Sequence, residues 1–380
     1  MSEMVCEPKQ CVGCGACVQS CPQGCISMFT DREGFLRPGI EEERCLNCNL
    51  CRSVCPVLQN DVREAGDILA YAARAKDPMI RNSGSSGGLF WILARSVVRR
   101  GGAVFGAAFS KNFRRVQHVG VTREADLVHL IGSKYVQSDT GNTFTQVQKF
   151  LERGVPVYYS GTPCQIAGLK CFLGGDAPGL ITQDVICHGV PSPAVWSQYI
   201  AECENRTGSA VKNFIFRDKV HGWKNYSIRI SFSNGEERRM QQRQCSYFRG
   251  YLENLFLRPC CYQCRFKSDD TVQSDLTLSD FWGVGSVLPD WDDNLGVSLV
   301  QIRTERGGSL LRQVESELIF TPVNREKALM KNPNQNSSAM EPPQREEFFR
   351  RFAKDPHIKW IDRLCPLTWK DRVRILVRPR

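Results

Sequence analysis

The chain has 380 residues, 42% of them hydrophobic and 24% charged, so it is long enough for two or three packed domains and too apolar to read as disordered. No run approaches the ~20 uninterrupted apolar residues of a membrane-crossing helix, and Met1 to Gln10 is short and polar, unlike a secretory leader. The net charge of +10 lies in scattered arginines with no nucleic-acid-binding motif beside them, so the expectation is a cytoplasmic protein with no nucleic-acid partner. A basic face of this kind suits an acidic redox partner or a phosphate-bearing cofactor.

Nineteen cysteines in a reducing compartment point to metal rather than to disulfides. Cys11, Cys14, Cys17 and Cys21, followed by Pro22, spell C-x2-C-x2-C-x3-C-P, and Cys45, Cys48, Cys51 and Cys55, followed by Pro56, spell it again. Three thiolates in one tight loop cap three corners of a cubane, and in two-cluster ferredoxins the fourth cysteine serves the other cluster. The repeat therefore assigns one [4Fe–4S] cluster to Cys11, Cys14, Cys17 and Cys55 and a second to Cys21, Cys45, Cys48 and Cys51. Zinc is the competing reading of paired cysteines, but four cysteines and a proline per half exceed what zinc needs. Gly13 and Gly15 keep side chains out of the first loop, and Cys6 and Cys25, outside the pattern, read as small buried residues.

After a polar linker at 60–66 the pattern changes. Ile68 to Ala75 reads as a strand. Asn82 to Gly88 is a Gly/Ser-rich loop that opens a helix over Leu89 to Arg100, a ready anion site but also an ordinary helix start. Strands are expected at Val104 to Phe109 and Val116 to Val121, and an amphipathic helix at Asn142 to Arg153. A buried strand at Val155 to Ser160 runs into Cys164, ahead of a helix over Gln165 to Phe172, and a second strand, Leu180 to Cys187, also ends in a cysteine. With Cys260, Cys261 and Cys264 these supply enough thiolates for a third cluster at the sheet's edge, unless Cys164 and Cys187 merely pack. Cys171, Cys203, Cys245 and Cys365 have no partner spacing. Asn332 to Pro343 reads as a loop, Glu346 to Ala353 as a short amphipathic helix, and Lys370 to Arg380 as a basic tail with alternating apolar residues.

Four ordered motifs resemble the coenzyme F420 hydrogenase/dehydrogenase beta-subunit family: Gly161 to Leu169 (GTPCQIAGL), Cys187 to Pro193 (CHGVPSP), Arg258 to Cys264 (RPCCYQC) and Ser274 to Gly283 (SDLTLSDFWG). The resemblance runs from about Ala70 to Ile302, with the ferredoxin module in front. It implies a flavin, read as FAD, beside a cluster held by Cys164, Cys187, Cys261 and Cys264, with Cys260 a spectator, although the doublet leaves that choice open. It also implies flavin contacts from Ser85, Ser86, Gly87, Gly88, Ser133, Lys134, Tyr135, Ser138 and Thr162. Lys134 and His188 are candidate charge or proton donors; the plainer readings are a surface lysine, a core tyrosine at 135 and a histidine satisfied by neighbouring backbone. Asp280-Phe281-Trp282 is expected to pack near the cluster.

The fold class expected is α+β: a dicluster module at 1–62, a mixed-sheet flavin domain in two parts at 68–154 and 155–323, and a helical, basic extension at 324–380. The function expected is electron transfer between a one-electron carrier, ferredoxin-like or another redox protein, and a two-electron organic substrate such as a deazaflavin. The alternative is an electron-transfer subunit with no substrate of its own.

Overall fold

The computed structural model describes residues 4–59 and 66–377. The linker expected at 60–66 lies, apart from Gly66, outside the described residues, as do 378–380 of the tail. In the module, strands β1 (Ile26–Thr30) and β2 (Leu36–Ile40) pair antiparallel, with Thr30 opposite Leu36 beside the turn. Asp31 makes that turn, its carboxylate accepting the N–H groups of Glu33 and Phe35 at 2.9 Å each.

The two cysteine loops repeat in backbone as well as in sequence. Gly13 and Gly15 have φ of 69° and 75°, and the corresponding Asn47 and Asn49 have 52° and 61°. Asparagine is one of the few residues other than glycine that enters the left-handed region readily, so each loop makes the same two reversals with different side chains. Short helices, Ala16–Ser20 and Leu50–Ser53, follow the loops and pack on each other.

The main body is built on nine strands: β3 (Leu69–Ala75), β4 (Ala103–Phe109), β5 (Val116–Val121), β6 (Ser138–Asp139), β7 (Val157–Ser160), β8 (Leu180–Val185), β12 (Leu276–Asp280), β13 (Ser298–Ile302) and β14 (Leu318–Pro322). Their order is β14-β3-β13-β12-β8-β7-β4-β5-β6; the centre is parallel (β12, β8, β7, β4), with antiparallel neighbours on both sides. Strand alternation sends Phe105 and Tyr159 to one face and Val104 and Tyr158 to the other. On the second face lies the helix Leu89–Arg99, burying Leu89, Ile92, Leu93 and Val97; on the first lie the helices Thr143–Glu152 and Pro163–Leu173 together with the cysteine module. A separate sheet of β9 (Val211–Asp218), β10 (Ser227–Phe232) and β11 (Glu237–Gln241) packs an aromatic core around Trp196, on the helix Pro193–Thr207. This mixed α+β architecture agrees with the fold class expected from sequence.

One buried acid ties the central strands together. The Asp275 carboxylate is fully buried and accepts Thr182 N–H at 2.7 Å, Thr182 Oγ1 at 2.8 Å and Thr304 Oγ1 at 2.7 Å, with Arg306 at 3.0 Å. Asp275→Ala leaves these donors without an acceptor, and the expected loss is about 3 kcal/mol or more, read as a lower denaturation midpoint. An unchanged midpoint would show that the tie contributes nothing.

The basic stretch from Lys370, part of the extension expected to be helical and basic, lies in a helix, Trp369–Val377. Thr368 starts it by donating through Oγ1 to the Asp371 carboxylate at 2.7 Å.

Candidate redox site

Cys11, Cys14, Cys17 and Cys55 line one cavity of the module, with Cys6, Val12, Met28 and Pro38 among the rest of its wall. Three of these cysteines come from the first loop and Cys55 arrives from the end of the second. Cys14 is walled in by Gly168, where a Cβ would stand 2.7 Å from the thiol sulfur. Cys6 is buried, as expected from sequence, yet its thiol bonds toward Cys11 and Cys55, and that bond holds the Cys55 pKa down to about 7. Cys25 plays the same part in the other half, 3.3 Å from the Cys21 sulfur. Each half thus carries an extra sulfur beside the paired loops, a feature the spacing did not reveal. The second group faces solvent: Cys48 is exposed, Cys21, Cys45 and Cys51 are half-buried, and Asn47 N–H donates to Cys45 Sγ at 3.4 Å.

A second cavity gathers Cys164, Cys187, Cys260, Cys261 and Cys264 from three segments. Cys164 stands in the first turn of its helix, which Thr162 and Gln165 cap reciprocally; Thr162 Oγ1 is 3.2 Å from the Cys164 sulfur. Cys187 follows the end of β8. The site therefore opens at the C-terminal ends of β7 and β8, which are parallel neighbours in the middle of the strand order. Gly189, at φ 146°, is needed where its missing Cβ would meet Leu257 at 2.8 Å and Cys261 at 3.3 Å. Val190 N–H points at Cys261 Sγ from 3.5 Å. Lys267 reaches the carbonyls of Cys187 and, at 2.9 Å, Asn334.

The donor chemistry of both cavities fits iron–sulfur clusters: soft thiols, enclosed walls and backbone N–H groups directed at sulfur. Burial pushes the Cys164 and Cys187 thiols above their usual range and Cys264 to about 11, so metal must displace their protons to bind. Both cysteines of the doublet face the cavity, and Cys260 and Cys261 are hydrogen-bonded to each other.

The two cavities are neighbours: Val12 lines both, and Arg258 lines the second while bonding into the first. The module is seated on the main body by buried polar contacts. Gln137 Nε2 donates to Val12 O at 3.1 Å, Thr140 Oγ1 to Cys14 O at 2.7 Å, and Gln19 Oε1 accepts the N–H groups of Phe144 and Thr145 at 3.0 and 3.1 Å. At the hairpin tip, Ser192 Oγ donates to Glu33 O at 2.6 Å and Arg345 forks onto the Glu33 carboxylate.

The segments expected to touch a flavin meet each other. Ser85 Oγ bonds Ser133 N at 2.7 Å and Ser133 Oγ at 2.9 Å, and Gly87 N–H donates to Ser298 Oγ at 3.0 Å. The Ser86 hydroxyl is spent on Val297 O, and the Lys134 ammonium on the carbonyls of Ile131 and Gly132. Desolvation pulls the Lys134 pKa down to about 7. The loops thus bond these hydroxyls and this ammonium to one another's backbone and side chains. What stays available is backbone: Gly88, at φ 86°, leads into a helix whose first turn has no side-chain cap. Ser138 Oγ is bonded by Gln165 Nε2 at 3.0 Å. Tyr135 packs among Phe216, Phe248 and Tyr251, and Arg217 Nη1 donates to its hydroxyl at 3.2 Å.

His188 also lines the five-cysteine cavity, its Nε2 2.6 Å from Asn254 Oδ1, and burial lowers its pKa. Asp280, Phe281 and Trp282 do not line that cavity; Asp280 pairs with Arg217 at 2.8 Å and Trp282 stacks on Trp223.

A family model for the C terminus of the beta subunit of coenzyme F420 hydrogenase/dehydrogenase matches residues 156–326, and one described as a 4Fe–4S dicluster domain matches residues 10–58. An uncharacterized ferredoxin of Methanocaldococcus jannaschii is 33% identical over 54 residues, 14% of this chain and 69% of that protein. Among solved structures, a chain of the F420-reducing [NiFe] hydrogenase complex from Methanosarcina barkeri matches with a TM-score of 0.48 and 16% identity, over 75% of this chain and 98% of that one.

Proposed function

We propose that the chain is an electron-transfer protein serving a partner redox protein, a reading supported by the match of residues 156–326 to the C terminus of the coenzyme F420 hydrogenase/dehydrogenase beta subunit and of residues 10–58 to a 4Fe–4S dicluster domain. Residues proposed to hold the module's clusters are Cys11, Cys14, Cys17 and Cys55 for one and Cys21, Cys45, Cys48 and Cys51 for the other. A third cluster is proposed in the five-cysteine cavity, on Cys164, Cys187, Cys264 and one member of the Cys260–Cys261 doublet. Clusters of this type pass one electron at a time. The supporting observation is the shared wall: Val12 borders the cavity of the first cysteine group and the five-cysteine cavity alike. Around it the chain's own residues exclude water and hold the module in one place.

A second reading adds a flavin, FAD, and an organic substrate of the deazaflavin class. It is favoured by the uncapped N-terminus of the helix Leu89–Arg99, whose backbone N–H groups suit a phosphate. A bound flavin would supply two-electron exchange.

Cofactor analysis of oxygen-free protein tests both readings. About twelve irons per chain are expected for three clusters, against about eight if the five-cysteine cavity stays empty. Released flavin supports the second reading; iron without flavin leaves the first; zinc in place of iron removes both.

A further inference from the structure

The two cysteine groups of the module have the same ligand types and the same loop backbone, but the first lies against two buried guanidiniums: Arg37, which donates to Cys11 O at 3.2 Å and is paired with Asp31, and Arg258, whose partners include no carboxylate. Arg258 is fully buried and aims its guanidinium into the first loop. Nε donates to Cys11 O at 2.7 Å, Nη1 to Gln137 Oε1 at 2.9 Å, and Nη2 to Leu36 O at 3.0 Å and to Cys11 Sγ at 3.5 Å. Gly13 makes room: a Cβ there would stand 2.8 Å from Nη1. On the other side, Arg258 lines the five-cysteine cavity, two and three residues before Cys260 and Cys261.

A guanidinium does not give up its proton, and a buried cation without an anion is expensive. Among the described ion pairs none involves Arg258, and its hydrogen-bond partners are carbonyls, an amide and one sulfur. Its countercharge must come from thiolates, Cys11 in front and the doublet behind. Among the described residues no buried guanidinium bonds to the exposed group in this way. Cys48 faces water, and the turn leading to Cys45 is Glu41-Glu42-Glu43, with Arg44 already paired to Glu41.

Burial disfavours the added negative charge of reduction; an N–H bond to the thiolate and a full positive charge favour it. We propose that Arg258 is a positioning residue that raises the reduction potential at the Cys11 cluster above that of its exposed twin and screens it from the five-cysteine cavity. With clusters bound, an electron shared between the two groups would rest at the buried one, the exposed group being reoxidised as the buried one is reduced, with no proton or co-reactant required. This rests on the assignment of a cluster to Cys11.

The test is a potentiometric titration of the full chain followed by electron paramagnetic resonance, with a water-soluble dysprosium chelate to mark the signal nearest the surface. In Arg258→Gln the reduced-to-oxidised ratio of the buried couple at a fixed potential should fall about tenfold, a negative shift of about 59 mV for one electron. The surface-marked couple should not move. Arg258→Lys, which keeps the charge but loses the fork, should shift the buried couple in the same direction and less far. If Arg258→Gln fails to assemble, the lysine variant alone decides by the same criterion. Unmoved potentials, or an equal shift of the surface-marked couple, in protein with unchanged iron would overturn the role given to Arg258. A parent protein without iron would instead overturn the cluster assignment beneath it.

Discussion

Cys14→Ser is expected to remove about four irons per chain and, with them, much of the grip between the module and the main body. The thiol is buried against Gly168, and its backbone carbonyl accepts the buried Thr140 hydroxyl at 2.7 Å. A serine oxygen is a harder donor than thiolate and a poor match for an iron–sulfur cluster, and the empty cavity would leave the loop without the centre it wraps. Cys48→Ser makes the control, since its side chain faces water. It too should cost about four irons. Its thermal midpoint should stay closer to the parent's than that of Cys14→Ser. Iron assay and thermal melts on oxygen-free protein decide; equal destabilisation by both would show that burial of the first loop adds nothing.

Gly34→Val is expected to unseat the hairpin while leaving both sets of cluster cysteines intact. Gly34 sits at φ 83°, where a β-branched residue is strained. A Cβ there would stand 2.2 Å from the Ala194 Cβ and 2.7 Å from Ser192 Oγ. Left-handed backbone costs a side chain about 1–2 kcal/mol and overpacking about 1–3 kcal/mol more. Retreat of the tip would also break the Glu33 contacts to Ser192 and Arg345. The expected readout is faster proteolysis between module and main body and a lower denaturation midpoint, with iron content close to the parent's. Parent-like resistance to protease would mean that the hairpin tip does not hold the module.

Those contacts mark the boundary of what the chain makes legible in advance. The repeated cysteine spacing encodes local geometry, and the loops that fold from it repeat down to their left-handed residues. Gly13 and Gly15 announce that geometry; Asn47 and Asn49 conceal it, because asparagine reaches the same backbone without advertising it. Strands such as Val157–Ser160 are readable from apolar runs, and so is the convergence of Cys164 and Cys187, which leave neighbouring parallel strands at the same end. Spacing does not rank Cys260 against Cys261, since adjacent residues in a tight turn both reach the cavity. The Gly/Ser loop advertises hydroxyls, but their partners, Ser133 and Val297, come from distant segments that no local pattern names. The seating of the module is hidden for the same reason. Arg258 and Cys11 are 247 residues apart, and nothing in a cysteine motif says which arginine will lie against it.

The seating carries a consequence for how current enters the molecule. Gln137, Thr140, Arg258 and Arg345 clasp the module from several sides, so it is a fixed socket and not a shuttle on a leash. Under the proposed function a mobile carrier would come to it, presenting its own redox centre at the rim around Cys48, where Leu46 and Leu50 stand exposed. Throughput should then respond to the carrier's concentration and to salt, as collisional traffic does, rather than to any swing of the module itself.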